Sequence, residues 1–190
     1  MTKPELFFPR DVGWYEWLLQ NYDSSEGVYL IFYKLELKVA TMRWEEAVKM
    51  ALYFGWIDST VKSLENGKRR QYFCPRKPKS TWSAMNKRYI IELTGNNLMH
   101  ESGLIKIEIA KQNGSWSTLD DVEKEIIPNK LKVAFNNNQQ AFENYKKFAT
   151  SYRKSYLYWL KQAKRDTTRK NRISEIVKLC ESNIKSKNSW

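Results

Sequence analysis

The stretch Ala51-Leu52-Tyr53-Phe54-Gly55-Trp56-Ile57-Asp58-Ser59 constrains this 190-residue chain more than any other, because a helical repeat stops and a strand begins inside it. Upstream, Trp44, Ala47, Val48, Ala51 and Leu52 fall on one side of a helix, with Thr41 as its candidate N-cap. Glu45 and Glu46 occupy the first turn, where the helix dipole favours negative charge. Gly55 stands where a left-handed, helix-ending residue is expected. A strand is predicted from Trp56 to Val61 and a second from Arg69 to Cys74, and Asn66-Gly67 between them is a hairpin signal.

Before this pivot, Asp11 is a plausible N-cap for a helix reaching Tyr22, with Trp14, Trp17 and Leu18 on one face. Val28-Tyr29-Leu30-Ile31-Phe32-Tyr33 reads as a strand covered on both faces. From Ser83 onward the periodicity is helical only. Ser83 caps a helix through Tyr89, Ile90 and Leu93. Thr94 caps the next, through Leu98, Met99, Ile105 and Ile109, with Gly103 interrupting it and Gly114 at its end. Pro128 favours a first turn, Asn136-Asn137-Asn138-Gln139-Gln140 reads as a junction, and Ser151 and then Asp166 or Thr167 cap the last two helices. A frayed tail is expected from Ser182. The expected class is α+β: a small mixed or antiparallel sheet with helices over residues 1–118, then an all-helical part over residues 119–190.

Composition narrows the function. Aromatic residues make up 14 % and hydrophobic residues 42 %, enough for a packed core, and only 7 Gly argue against a long Gly-rich nucleotide loop. Cys74 and Cys180 belong to no metal-ligand spacing, so neither a zinc site nor a disulfide framework is expected, and no cofactor is implied. No apolar run has the length of a membrane span, and the start Met1-Thr2-Lys3-Pro4 lacks signal-peptide features, so the expected location is cytoplasmic. The net charge of +12 is uneven: residues 140–190 carry 13 Lys+Arg against 4 Asp+Glu. Such a surface attracts phosphates, acidic proteins or nucleic acid, or simply keeps the protein soluble.

No HExxH, GxSxG or phosphate-binding glycine loop is present, and His100, the single histidine, has no partner set by spacing. The polar residues of interest are Asp58, Ser59, Arg76, Ser80, Ser83 and Asn86, flanked by Trp56 and Trp82. Arg76 lies in a segment bounded by Pro75 and Pro78, which can hold a guanidinium ready for a carboxylate or phosphate. One reading is a pocket for a small anionic ligand; the other is an Asp58–Arg76 ion pair with Ser83 as a helix cap. A second candidate surface is the basic set Lys161, Lys164, Arg165, Arg169, Lys170 and Arg172, interleaved with aromatics as in single-strand nucleic-acid binders, or else a solvated face. An enzyme using Asp58 with Ser59 or Ser83 is a third reading, and no base stands at motif spacing for it.

Several motifs occur in order: Trp14-x-x-Trp17-Leu18, Phe54-Gly55-Trp56-Ile57-Asp58-Ser59, Pro75-Arg76 with Ser80-x-Trp82-Ser83-x-x-Asn86, Gly114-x-Trp116, and Ala163-Lys164-Arg165-x-Thr167-Thr168-Arg169-x-x-Arg172-Ile173. This set resembles the YdeI/OmpD-associated, or bacteriocin-protection, family over nearly the whole chain, and the last motif resembles its C-terminal module. Where such families keep a glutamate before the last motif's threonine, this chain has Thr167, which leaves capping to Asp166 or Thr167. The resemblance implies a bacterial protein of stress or bacteriocin protection. It supplies no catalytic residues, and the expectation is a non-enzymatic binding protein.

Overall fold

The computed structural model describes residues 3–186 and divides into two compact units, Met1–Ser117 and Thr118–Trp190. The chain is α+β, with a mixed sheet in its N-terminal part and helices in its C-terminal part.

In the first unit, β1 (Glu5–Leu6), β2 (Val28–Tyr33), β3 (Trp56–Ser63) and β4 (Lys68–Pro75) form one sheet in the order β1-β2-β4-β3. β1 runs parallel to β2, and the other neighbours are antiparallel. The two-residue β1 is too short to show any alternation in the sequence. It joins through the backbone, where Tyr29 N–H donates to Pro4 O at 2.9 Å. β2 departs from the expected double burial: Val28, Leu30 and Phe32 enter the core, while Tyr29, Ile31 and Tyr33 pair with Tyr72, Arg70 and Lys68 on the other face. An unbroken apolar run therefore served one buried face and one face of cross-strand aromatic and cationic pairs. The hairpin after β3 turns through Asn66 and Gly67, at φ 54° and 66°.

Four helices complete the unit: α1 (Asp11–Asn21), α2 (Trp44–Tyr53), α3 (Ala84–Gly95) and α4 (Glu101–Gln112). Arg10, not Asp11, is the N-cap residue of α1, and Asp11 lies in the first turn. α2 begins after Arg43 rather than Thr41, and the Glu46 carboxylate takes the Arg43 backbone N–H at 2.7 Å. Thr94 lies inside α3. The chain leaves α3 through a left-handed Asn97, and His100 caps α4 instead. Trp14 centres the core, with its indole N–H on Ala47 O at 3.1 Å and its ring edge-on to Trp56 and Phe73.

The pivot is held by two glycines. Gly55 ends α2 at φ 76°, and a Cβ there would lie 2.9 Å from Ser102 O. Gly103, the apparent interruption in the α4 pattern, has the same origin: a Cβ there would meet Tyr53 O at 2.3 Å. The first turn of α4 thus lies against the end of α2, closer than any side chain allows.

The second unit contains α5 (Asp120–Glu123), α6 (Asn129–Asn136), α7 (Gln139–Lys147), α8 (Thr150–Lys161) and α9 (Asp166–Glu181). Its core includes Leu131, Phe135, Tyr145, Phe148, Tyr156, Leu160, Ile176 and Cys180. α8 is preceded by Ala149, so Ser151 lies in its first turn, and α9 follows Arg165 with neither Asp166 nor Thr167 capping by side chain. Residues 182–184 are not frayed: Asn183 is left-handed, Ile184 N–H donates to Leu179 O at 2.8 Å, and Tyr156 Oη donates to Ile184 O at 2.7 Å. The end of the expected frayed tail, residues 187–190, lies outside the described residues.

Candidate functional site

Each polar group singled out from the sequence has a definite place in the first unit. The Asp58 side chain shares the helix-covered face with Phe73, its cross-strand partner, and accepts from Trp44 Nε1 at 3.2 Å and from the Gln71 amide. Trp56 is buried, with its indole N–H on Tyr22 O at 2.9 Å. Ser59 sits beyond Asp58 in the bulged part of β3 and is exposed. Ser83 Oγ accepts the Asn86 backbone N–H at 3.2 Å, so this pair is the N-cap of α3.

Arg76 is 2 % exposed and its guanidinium lies 3.6 Å from the Trp82 ring centroid. Nη2 donates to Thr81 O at 2.5 Å, while Nε and Nη1 have no hydrogen-bond partner among the described residues. Burial lowers its pKa to about 10, a shift that the negative charge of Asp58 opposes from a distance. The expected alternative of an Asp58–Arg76 ion pair is not what joins these residues: Asp58 is taken by Trp44 and Gln71, and Arg76 by Thr81 O and the Trp82 face. Trp56, Arg76 and Trp82 are all buried.

His100 is an architectural residue. Its Nδ1 accepts the Ser102 backbone N–H at 3.2 Å and lies 2.8 Å from Ser102 Oγ, and that hydroxyl reaches Phe54 O at 3.0 Å. The ring packs edge-on against Tyr22 at 4.9 Å. This is a helix cap fastening α4 to the end of α2.

In the second unit the basic set divides. Arg172 Nη1 donates to Trp159 O, and Arg169 Nη2 to Ala163 O at 3.1 Å, so both guanidiniums satisfy carbonyls at and just beyond the end of α8. Lys161 pairs with Asp121 at 3.4 Å. Lys164, Arg165 and Lys170 are exposed and form no ion pair among the described residues. A depression of about 420 Å³ is lined by Val122, Leu157, Leu160 and Ile173 together with Lys161 and Arg169, and Lys164, Arg165 and Lys170 are not among its lining residues.

A larger groove, about 790 Å³, opens at the hairpin end of the first unit's sheet, and Lys34, Arg43, Lys68 and Arg69 line it. These four are inconspicuous in the sequence because they lie in three separate segments. The available signal was the pairing that Asn66-Gly67 dictates, which sets Lys68 and Arg69 opposite the end of β2.

The fold and these placements define a two-unit α+β protein in which the conspicuous motif residues serve the architecture. By family model, the chain belongs to the family described as Domain of unknown function (DUF8412), matched over residues 6–106, more than half of the chain. A second model, described as Bacteriocin-protection, YdeI or OmpD-Associated, matches residues 126–183. That match is confined to the C-terminal part and contains the closing Ala163–Ile173 motif, whereas the first three motifs fall in the DUF8412 region. No curated protein and no solved structure matches the chain.

Proposed function

We propose that this is a cytoplasmic, non-enzymatic binding protein of the bacteriocin-protection type, and that it binds a small anion. One contrast carries the reading. The polar side chains that could have formed a reactive centre, Asp58, Ser83, His100 and Ser102, are engaged by internal partners. Four cations around one groove have no ion-pair partner among the described residues.

A thermal-shift panel of sulfate, orthophosphate, pyrophosphate and citrate at matched low ionic strength tests the reading. At least one polyvalent anion raises the melting temperature, and added sodium chloride diminishes the effect. No stabilisation by any member contradicts it. The Arg76 region, with Trp56, Asp58, Ser59, Trp82, Ser83 and Asn86, is a second location for the anion, supported by the two unpartnered guanidinium nitrogens. Abolition of the shift by Arg76→Gln, in a variant still folded by circular dichroism, assigns the ligand there.

A second reading, nucleic-acid binding through the basic helices, is favoured by the exposed Lys164, Arg165 and Lys170. It requires salt-dependent binding of an oligonucleotide that weakens when these three are changed to Gln.

A further inference from the structure

We propose that the groove at the hairpin end of the first unit's sheet binds a small molecule bearing a di- or triphosphate, through Lys34, Arg43 and Arg69. The assignment rests on the anion-binding function proposed above and gives it a place and a ligand class.

Three segments converge on the groove. Lys34 follows β2 and precedes a 3-10 turn at Leu35–Leu37; Arg43 precedes α2; Lys68 and Arg69 open β4. The surrounding backbone is fixed. Lys34 N–H donates to Gly67 O at 2.9 Å, Leu64 N–H donates to Lys68 O at 2.9 Å, and Phe32 and Tyr33 are in register with Arg69 and Lys68. The Arg69 guanidinium lies 5.2 Å from the Phe32 centroid, a contact that favours one placement of this side chain and lowers the ordering cost of binding, whereas Lys68 Nζ lies over Tyr33 on the opposite face of the sheet.

Charge selects the ligand. Among the described residues Glu36 is the one carboxylate lining the groove, so the formal charge of the described lining is +3. None of the four cations forms an ion pair among the described residues, whereas Arg70, next along β4, is paired with Glu5. Unopposed cations lining one groove attract a polyvalent anion more strongly than a monovalent one. Arg43 and Arg69 supply planar forks that match phosphate oxygens in pairs, and Lys34 adds a compact charge. A volume of about 790 Å³ exceeds the needs of one phosphate and falls within the range of small-molecule sites. The ligand is therefore a chain of phosphates with room for an attached group.

The test is isothermal titration calorimetry of the full chain with sodium tripolyphosphate at low salt, with orthophosphate as a second titrant. The expected result is saturable binding at one site, tighter for tripolyphosphate. Arg43→Gln with Arg69→Gln weakens it about tenfold or more. Lys34→Gln with Arg43→Gln, which disturbs neither ring contact, does the same. Lys111→Gln with Lys132→Gln, exposed and outside both candidate surfaces, leaves it unchanged. Tripolyphosphate binding that survives both groove variants overturns the site while leaving the anion-binding function standing. Stabilisation by citrate or sulfate without tripolyphosphate binding overturns the ligand class. Tighter binding of a single-stranded oligonucleotide overturns the small-molecule assignment, and failure of every anion overturns the function and the site together.

Discussion

Gly103 shows how a single residue sets the geometry of the pivot. Replacement by Ala places a methyl carbon 2.3 Å from Tyr53 O, a backbone atom that cannot move without shifting the end of α2. Gly103→Ala is therefore expected to destabilise the protein by about 4 kcal/mol or to prevent folding, measured by chemical denaturation followed by circular dichroism. Gly95, in the last turn of α3, has nothing within 4 Å of an added Cβ, and its φ is not left-handed. Gly95→Ala should stabilise by about 0.5 kcal/mol. The sequence shows a glycine in a helical pattern in both cases and cannot distinguish them, because the deciding neighbour of Gly103 is fifty residues away. His100 is a similar case. Its capping role depends on Ser102, two residues on, but its packing depends on Tyr22 and Phe54.

At the scale of elements, the junction of α8 and α9 explains why the closing motif is basic. The last carbonyls of a helix have no partner within it, and Arg169 and Arg172 reach back from α9 to supply donors near the end of α8. Arg172→Ala should cost about 1–2 kcal/mol in urea denaturation, while Lys170→Ala, exposed between them, should change stability by less than about 0.5 kcal/mol. From the sequence this run reads as a charged face, because spacing reveals which side chains are cationic but not which carbonyls end beside them. Element positions were more legible. The pivot, the hairpin and both core faces of α1 and α2 follow from periodicity and Gly placement, whereas helix starts shifted where the expected hydroxyl does not cap: the Glu46 carboxylate serves α2, the His100 ring α4, and α8 follows Ala149 with no side-chain cap. Elsewhere in the second unit, Glu125 is paired with Arg153, whose guanidinium holds the carboxyl below its usual range. Because the folded value lies below the unfolded one, this pair stabilises above about pH 4.5 and loses that contribution as pH falls further. Glu125→Gln should flatten the acid limb of a stability-against-pH curve for this transition.

For the whole molecule, the placement of charge matters more than its total. The α+β class was legible because the strand signals end before Ser83 and only helical periodicity follows. The groove was not, because Lys34, Arg43 and Arg69 lie in three separate segments, of which the β2–β4 register places only one against the end of β2. With the tryptophan-rich motifs built into the fold, the proposed binding falls to cations that have no ion-pair partner among the described residues. The most direct test is an amide chemical-shift map of the labelled protein titrated with tripolyphosphate. Saturating shifts confined to residues 32–44 and 63–69 are expected. Shifts centred on residues 75–86 or 161–172, with the groove silent, would contradict the proposed binding.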